Sequence, residues 1–282
     1  MVEAMTHALK KSLATVLVAS ALMLSACSST DTEKEKKPDD RPVESLYNEA
    51  STKLESKSFE EAARGFEEVE RLHPYSPWAI RAELMAAYSY YKGTNYDEAV
   101  VALDRFAELH PGNKDVDYAL YLKALCYYEQ ISDVARDQAM TREALASFEA
   151  LIRRFPESRY SRDATFKRDL TLDHLAGKEM EIGRYYLRRG ETNAALNRFR
   201  TVVTDYQTTT HAPEALHRLV EGYLTLGLKD EAVKVAAVLG YNYPGSKWYE
   251  ASYKLLDPAL RKRLEEDRGF KDRAIDTLFK PD

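Results

Sequence analysis

The sequence predicts an all-α fold, an α-solenoid of about five antiparallel helix pairs stacked in a superhelix. Three observations carry this. One apolar pattern is written five times, on the anchor alanines Ala62, Ala99, Ala144, Ala195 and Ala232. A second pattern, a small residue followed by an aromatic, stands upstream of each copy. Residues that start and stop helices lie between the two.

Counted from each alanine, position +4 reads Phe66, Leu103, Phe148, Phe199 and Ala236, and +7 reads Val69, Phe106, Leu151, Val202 and Leu239. Position +11 is His73, His110, Phe155, Tyr206 and Tyr243; +12 is Pro74, Pro111, Pro156, Gln207 and Pro244. Offsets of 0, 4, 7 and 11 trace one face of a 3.6-residue helix. The proline then stops it, because its ring clashes with the turn before. These are the B helices. Their partners, the A helices, carry Ala50, Ala87, Ala124, Gly183 and Val220, with Lys53, Tyr90, Tyr127, Tyr186 and Tyr223 three residues on. The small residue lets two helices approach, and the tyrosine fills the space beside it.

Boundary signals agree. Ser58-x-x-Glu61 has the form of a capping box and Asn95-x-x-Glu98 is a variant, while Thr141 and Thr192 stand where the third and fourth B helices should begin. Gly93, Gly190 and Gly227 fall in the A-to-B turns, where a left-handed residue ends a helix without strain. The ruler has two departures. Copy three has eight extra residues around Ile131–Ala139, and copy four follows a longer helical segment, Tyr160–Lys178, so its anchor spacing grows from 37 to 51. With small residue, tyrosine, alanine, aromatic and closing proline, the pairs resemble tetratricopeptide repeats over residues 43–255. Residues 256–282 read as a capping helix and a tail.

The N-terminus follows other rules. Lys10 and Lys11 precede the apolar run Leu13–Leu24, which is too short to span a bilayer and fits a signal peptide. It ends in Leu24-Ser25-Ala26-Cys27, which resembles the bacterial lipobox. That resemblance implies removal of residues 1–26 and a diacylglycerol and acyl chain on Cys27. No other cofactor is expected. Residues 28–42, SSTDTEKEKKPDDRP, are polar and aperiodic and read as a tether. Ser28, rather than Asp, follows the cysteine, which by resemblance to enterobacterial sorting favours the outer membrane, with the chain facing the periplasm. Cys126, in a helical apolar stretch, then has no disulfide partner and reads as a small core residue.

The formal charge is −5, which argues against a nucleic-acid partner. It is unevenly spread: residues 43–116 carry 8 Lys+Arg against 14 Asp+Glu, and residues 141–200 carry 13 against 9. No phosphate-binding glycine loop, zinc-binding HExxH or nucleophile elbow is present. His73 and His110 share a repeat position, which makes them structural. His211 and His217 are six apart, on different sides of a helix, so no metal site is expected. The chain is expected not to be an enzyme.

What remains is surface. The first three A helices are dense in tyrosine, and such faces bind extended peptides. Some of these rings pack between helices. Others, among them Tyr88, Tyr91 and Tyr121 with Tyr75 and Trp78 of an inter-repeat turn, are candidates for an aromatic groove.

HPYSPWA, AAYSYYK, LDRFAELHP, DYALYLKAL and FPESRYSRDAT, joined to the lipobox and five repeats, resemble the BamD family of outer membrane protein assembly factors. The resemblance implies a non-enzymatic subunit of the machine that inserts β-barrel proteins. Its N-terminal repeats would receive the aromatic-ended targeting segment of unfolded outer membrane proteins. Its C-terminal repeats would dock a periplasmic domain of the barrel-forming subunit, BamA. Arg198 falls where the family carries a basic docking residue, and other assembly lipoproteins are further partners. A peptidoglycan-associated or general cell-envelope scaffold is the alternative.

Overall fold

The structure, a computed structural model, describes residues 41–266. The signal segment, Cys27, the tether and the final sixteen residues lie outside the described residues. Among the described residues there are twelve helices and no strand. Five A/B pairs come first: α1 Val43–Glu55 with α2 Phe59–Leu72, α3 Pro77–Lys92 with α4 Tyr96–Leu109, α5 Val116–Tyr128 with α6 Ala139–Arg154, α7 Ser161–Arg188 with α8 Thr192–Asp205, and α9 Ala212–Thr225 with α10 Lys229–Asn242. Two nine-residue helices follow, α11 Lys247–Leu255 and α12 Pro258–Glu266. Each helix from α1 to α10 packs against its neighbour in sequence, and α11 closes on α9 and α10. Short connections make neighbours antiparallel, so the array grows one helix pair at a time.

The ruler is the core. All five anchor alanines and every +4 and +7 residue are buried, with Phe66, Phe106, Phe148 and Phe199 the largest fully buried side chains. The +11 residues are half-buried and cap the B helices, and each returns its backbone N–H to the +7 carbonyl. Their backbone is extended in φ, near −130°, as a following proline demands. Tyr206 adopts the same angle, −129°, before Gln207, so repeat packing reproduces what proline enforces elsewhere.

Three boundary expectations need correction. Ser58 and Asn95 stand at N-caps but make no side-chain cap bond; Ser76 and Ser246 do. The reason lies one residue earlier. A left-handed residue recurs five positions before the anchor, at Lys57, Thr94, Gly190 and Gly227, and turns the next N–H back to the A helix. Gly93 is not that residue, since its φ is −82°. It is small because a Cβ there would stand 3.1 Å from Phe59 Cβ. The expected segment Tyr160–Lys178 is not separate from the fourth A helix: α7 runs unbroken for 28 residues.

The insertion before α6 is ordered by one side chain. Gln138 is buried and its amide donates to the carbonyls of Asp133, Val134 and Arg136, while its oxygen accepts from Thr141 at 2.8 Å. Lys178 of α7 donates to Ala135 O at 2.8 Å, which ties the loop to the long helix.

Candidate functional site

The A helices bring tyrosines together across three repeats. On α3, Ile80, Leu84 and Tyr88 stand at i, i+4 and i+8, one stripe that packs on α5 with Tyr91 beside it. On α5, Tyr118 and Tyr121 are one turn apart. Tyr160, the N-cap of α7, joins both: its ring stacks on Tyr121 with centroids 5.0 Å apart and 17° between planes, and meets Tyr118 at 5.3 Å. Burial raises the Tyr118 phenol first, and the neighbouring hydroxyls of Tyr88, Tyr160 and Tyr91 raise it further. Burial also pushes Tyr91 up to about 12. The Tyr91 and Tyr118 phenols are therefore neutral at physiological pH, and the rings of the cluster act as apolar plates with a polar rim.

The rim is charged. Tyr121 Oη donates to Asp163, which Lys167 also holds at 2.7 Å. Burial pushes the Asp163 carboxyl up, but the bonds from Lys167 and Tyr121 outweigh it and leave the group below the usual range. Arg159 lies over the Tyr160 ring at 4.7 Å. At the start of α3 the same stripe opens into a cavity of about 550 Å³ lined by Ile80, Leu84, Phe106, Arg81 and Lys114. The result is an aromatic face with carboxylate, ammonium and guanidinium groups at its edges. That is suited to holding a peptide by ring contacts and rim hydrogen bonds. A larger recess, about 810 Å³, lies between α2 and α4; Glu67, Glu70 and Glu98 line it, and Tyr90 donates to Glu67 at 2.7 Å.

The five aromatics expected to form a groove divide. Tyr88, Tyr91 and Tyr121 belong to the cluster. Trp78 does not: it packs on Tyr47 at 4.9 Å in the first core, ten residues and so about 15 Å down α3 from Tyr88. Tyr75 is fully exposed in the α2–α3 turn. Tyr160 and Asp163 were missed, because they sit where the ruler is interrupted.

Arg198 stands on α8, half-exposed, and its Nη1 donates to Glu179 Oε2 of α7 at 3.2 Å. His110 is structural, as expected: it lies 3.1 Å from Glu83 and against Phe106. His217 bonds Ser252 at 2.8 Å and faces Trp248, while His211 faces Asp173. Among the described residues no cluster could hold a metal ion, and no helix is long and apolar enough to cross a membrane.

The family described as YfiO, outer membrane lipoprotein, matches residues 39–239. The outer membrane protein assembly factor BamD of Caulobacter vibrioides is 49% identical over 255 residues, 88% of this chain and 84% of that one. The protein of the same name from Rickettsia prowazekii is 48% identical over 244 residues, 86% and 96% of the two chains. Among solved structures, the TPR2AB domain of yeast Sti1 in its pHSP90 complex aligns over 84% of this chain and 96% of that one, at 14% identity and a TM-score of 0.37. At that level of superposition the fold rests on the helix contacts described above.

Proposed function

This chain belongs to the YfiO (BamD) family of outer membrane protein assembly factors, and on that premise we propose that it is a lipid-anchored scaffold with two binding regions. The tyrosine face of α3, α5 and α7 receives segments of unfolded outer membrane proteins. The region around Arg198 docks the periplasmic domain of BamA. Cys27 carries the lipid that holds the chain to the outer membrane, on its periplasmic side.

The observation that carries the first assignment is the cluster Tyr88–Tyr91–Tyr118–Tyr121–Tyr160. Four of the five copies place a tyrosine at +3 of the A helix, and none of these five stands at that position; they are half-buried at the edge of the core, with Tyr118 and Tyr121 in ring contact with Tyr160. Stacked rings with a charged rim suit a chain that ends in an aromatic residue and a carboxylate. The relatives' name, outer membrane protein assembly factor, agrees with a scaffold rather than a catalyst.

Photocrosslinking in cells tests both regions. A crosslinker at position 88, 91, 118, 121 or 160 should capture unfolded outer membrane proteins, and one near 198 should capture BamA. Recovery of murein alone from every position would favour the cell-envelope scaffold instead. Cys27→Ala should release the chain from the membrane fraction, and a variant still membrane-bound through normal extraction would refute the anchor.

A further inference from the structure

Extending the repeat ruler one turn upstream exposes a pair of matched departures. Four residues before the small A-helix position, copies one, three and five carry Leu46, Leu120 and Leu216; copies two and four carry Glu83 and Glu179. Three residues after the anchor alanine the copies read Gly65, Ala102, Ser147, Arg198 and Val235. Copy four alone departs at both positions, and the fold places the two departures in contact, Arg198 Nη1 on Glu179 Oε2 at 3.2 Å. In copy two the carboxylate is buried, 7% exposed, and the closing His110 of its own repeat meets it. In copy four its partner is a guanidinium whose side chain remains 44% exposed, while Glu179 is 20% exposed.

We propose that Glu179 is the positioning residue for Arg198 in partner docking. The contact uses one nitrogen. Among the described residues Nε and Nη2 of Arg198 have no partner, so the edge of the fork that binds a carboxylate in two-point fashion stays available. An arginine side chain on a helix surface otherwise samples many rotamers, and fixing it before docking removes an ordering cost from the binding step. The pair sits in a polar setting. The hydroxyl of Tyr206 is raised by burial first and then by the Glu179 charge, with Arg142 of α6 opposing. Packing alone gives no reason for the exchange, since leucine and a small residue fill the same two places in copies one and three.

The inference rests on the docking assigned to Arg198 above, and one set of variants separates the two. The full chain, solubilised in detergent, is titrated with the purified periplasmic domain of BamA. Arg198→Ala should weaken binding strongly. Glu179→Leu, which restores the leucine of copies one, three and five, should melt at or above the parent temperature yet bind about tenfold more weakly, within the coupling expected of touching residues. Glu179→Gln, which keeps the shape, should weaken binding in the same direction and serves if the leucine variant folds poorly. The double variant Glu179→Leu/Arg198→Ala should bind no worse than Arg198→Ala. If both Glu179 variants bind like the parent while Arg198→Ala is weakened, the positioning role is refuted and the docking reading stands. If the double variant is weaker than Arg198→Ala, Glu179 acts independently of Arg198 and the proposal fails. If Arg198→Ala binds like the parent, the docking reading falls and the inference with it.

Discussion

Gly183→Ala sets two effects against each other at one atom. Copies one to three carry alanine at this A-helix position, and alanine is favoured over glycine inside a helix by about 1 kcal/mol. Propensity alone therefore predicts a more stable protein. Packing predicts the reverse. A Cβ on Gly183 would meet the fully buried ring of Phe199, 2.8 Å from Cζ and 2.9 Å from Cδ1, with Cε1 closer still. The ring has no free side to move into, since Phe199 is 0% exposed among Ala195, Val202 and Met180. Overpacking of this kind costs about 1–3 kcal/mol. Set against the propensity gain, the net is about 0–2 kcal/mol of destabilisation, a fall of up to about 8 °C in melting temperature for a chain of this size. Thermal melts and urea midpoints of the two proteins measure it. Adding Phe199→Leu should recover part of the loss in the alanine background while destabilising the parent. A Gly183→Ala protein that melts higher than the parent would refute the reasoning, because it would mean the ring relaxes at no cost.

Other outcomes follow from the same contacts. His217 is buried between α9 and α11; burial lowers its pKa first, Arg218 lowers it too, and Glu221 and Glu214 oppose. The folded state therefore binds fewer protons than the unfolded one, so this stability is present above the ordinary histidine pKa of about 6.5 and is lost as pH falls below it. The protection of α11 amides, their exchange rate measured against the intrinsic rate at each pH, should fall between pH 7 and pH 5, and His217→Asn should flatten that dependence. Tyr121→Phe removes the donor to Asp163 but keeps the ring stack and leaves Lys167 on the carboxylate, so the loss should be about 1 kcal/mol by urea midpoint. The Cys126 thiol is buried and pushed up to about 12 by burial, so a thiol reagent should leave it unmodified in the native chain and label it on unfolding.

Periodicity made the array legible, and interruptions of periodicity hid the rest. Ala62, Phe66 and Val69 announce a buried face because burial is set by helix geometry, which one chain segment determines alone. The left-handed turn was harder to read. Lys57 and Thr94 adopt it without being glycine, and Gly93, the residue that looked suited to it, is small for a contact with Phe59. Trp78 and Tyr88 are both aromatic residues on one helix, yet one fills the first core and the other joins the tyrosine face. Only the packing of α1 against α3 separates them. Tyr160 and Asp163 lie in the stretch that broke the ruler, so no repeat position marked them. Glu179 does carry a signal, since its counterparts Leu46, Leu120 and Leu216 mark a core position, but a carboxylate there does not announce the guanidinium that α8 brings to it.

The unbroken α7 has a mechanical consequence. Its first half packs on α6 and its second half on α8, so one rod, about 42 Å long at 1.5 Å per residue, is shared by two repeats. Asp163 at the edge of the tyrosine face and Glu179 beside Arg198 are sixteen residues apart on it, a separation of about 24 Å. A loop at this point would let the two ends of the array tilt independently and absorb a load at either one. A continuous helix puts no such joint between them, so the tyrosine face and the Arg198 region share one backbone element.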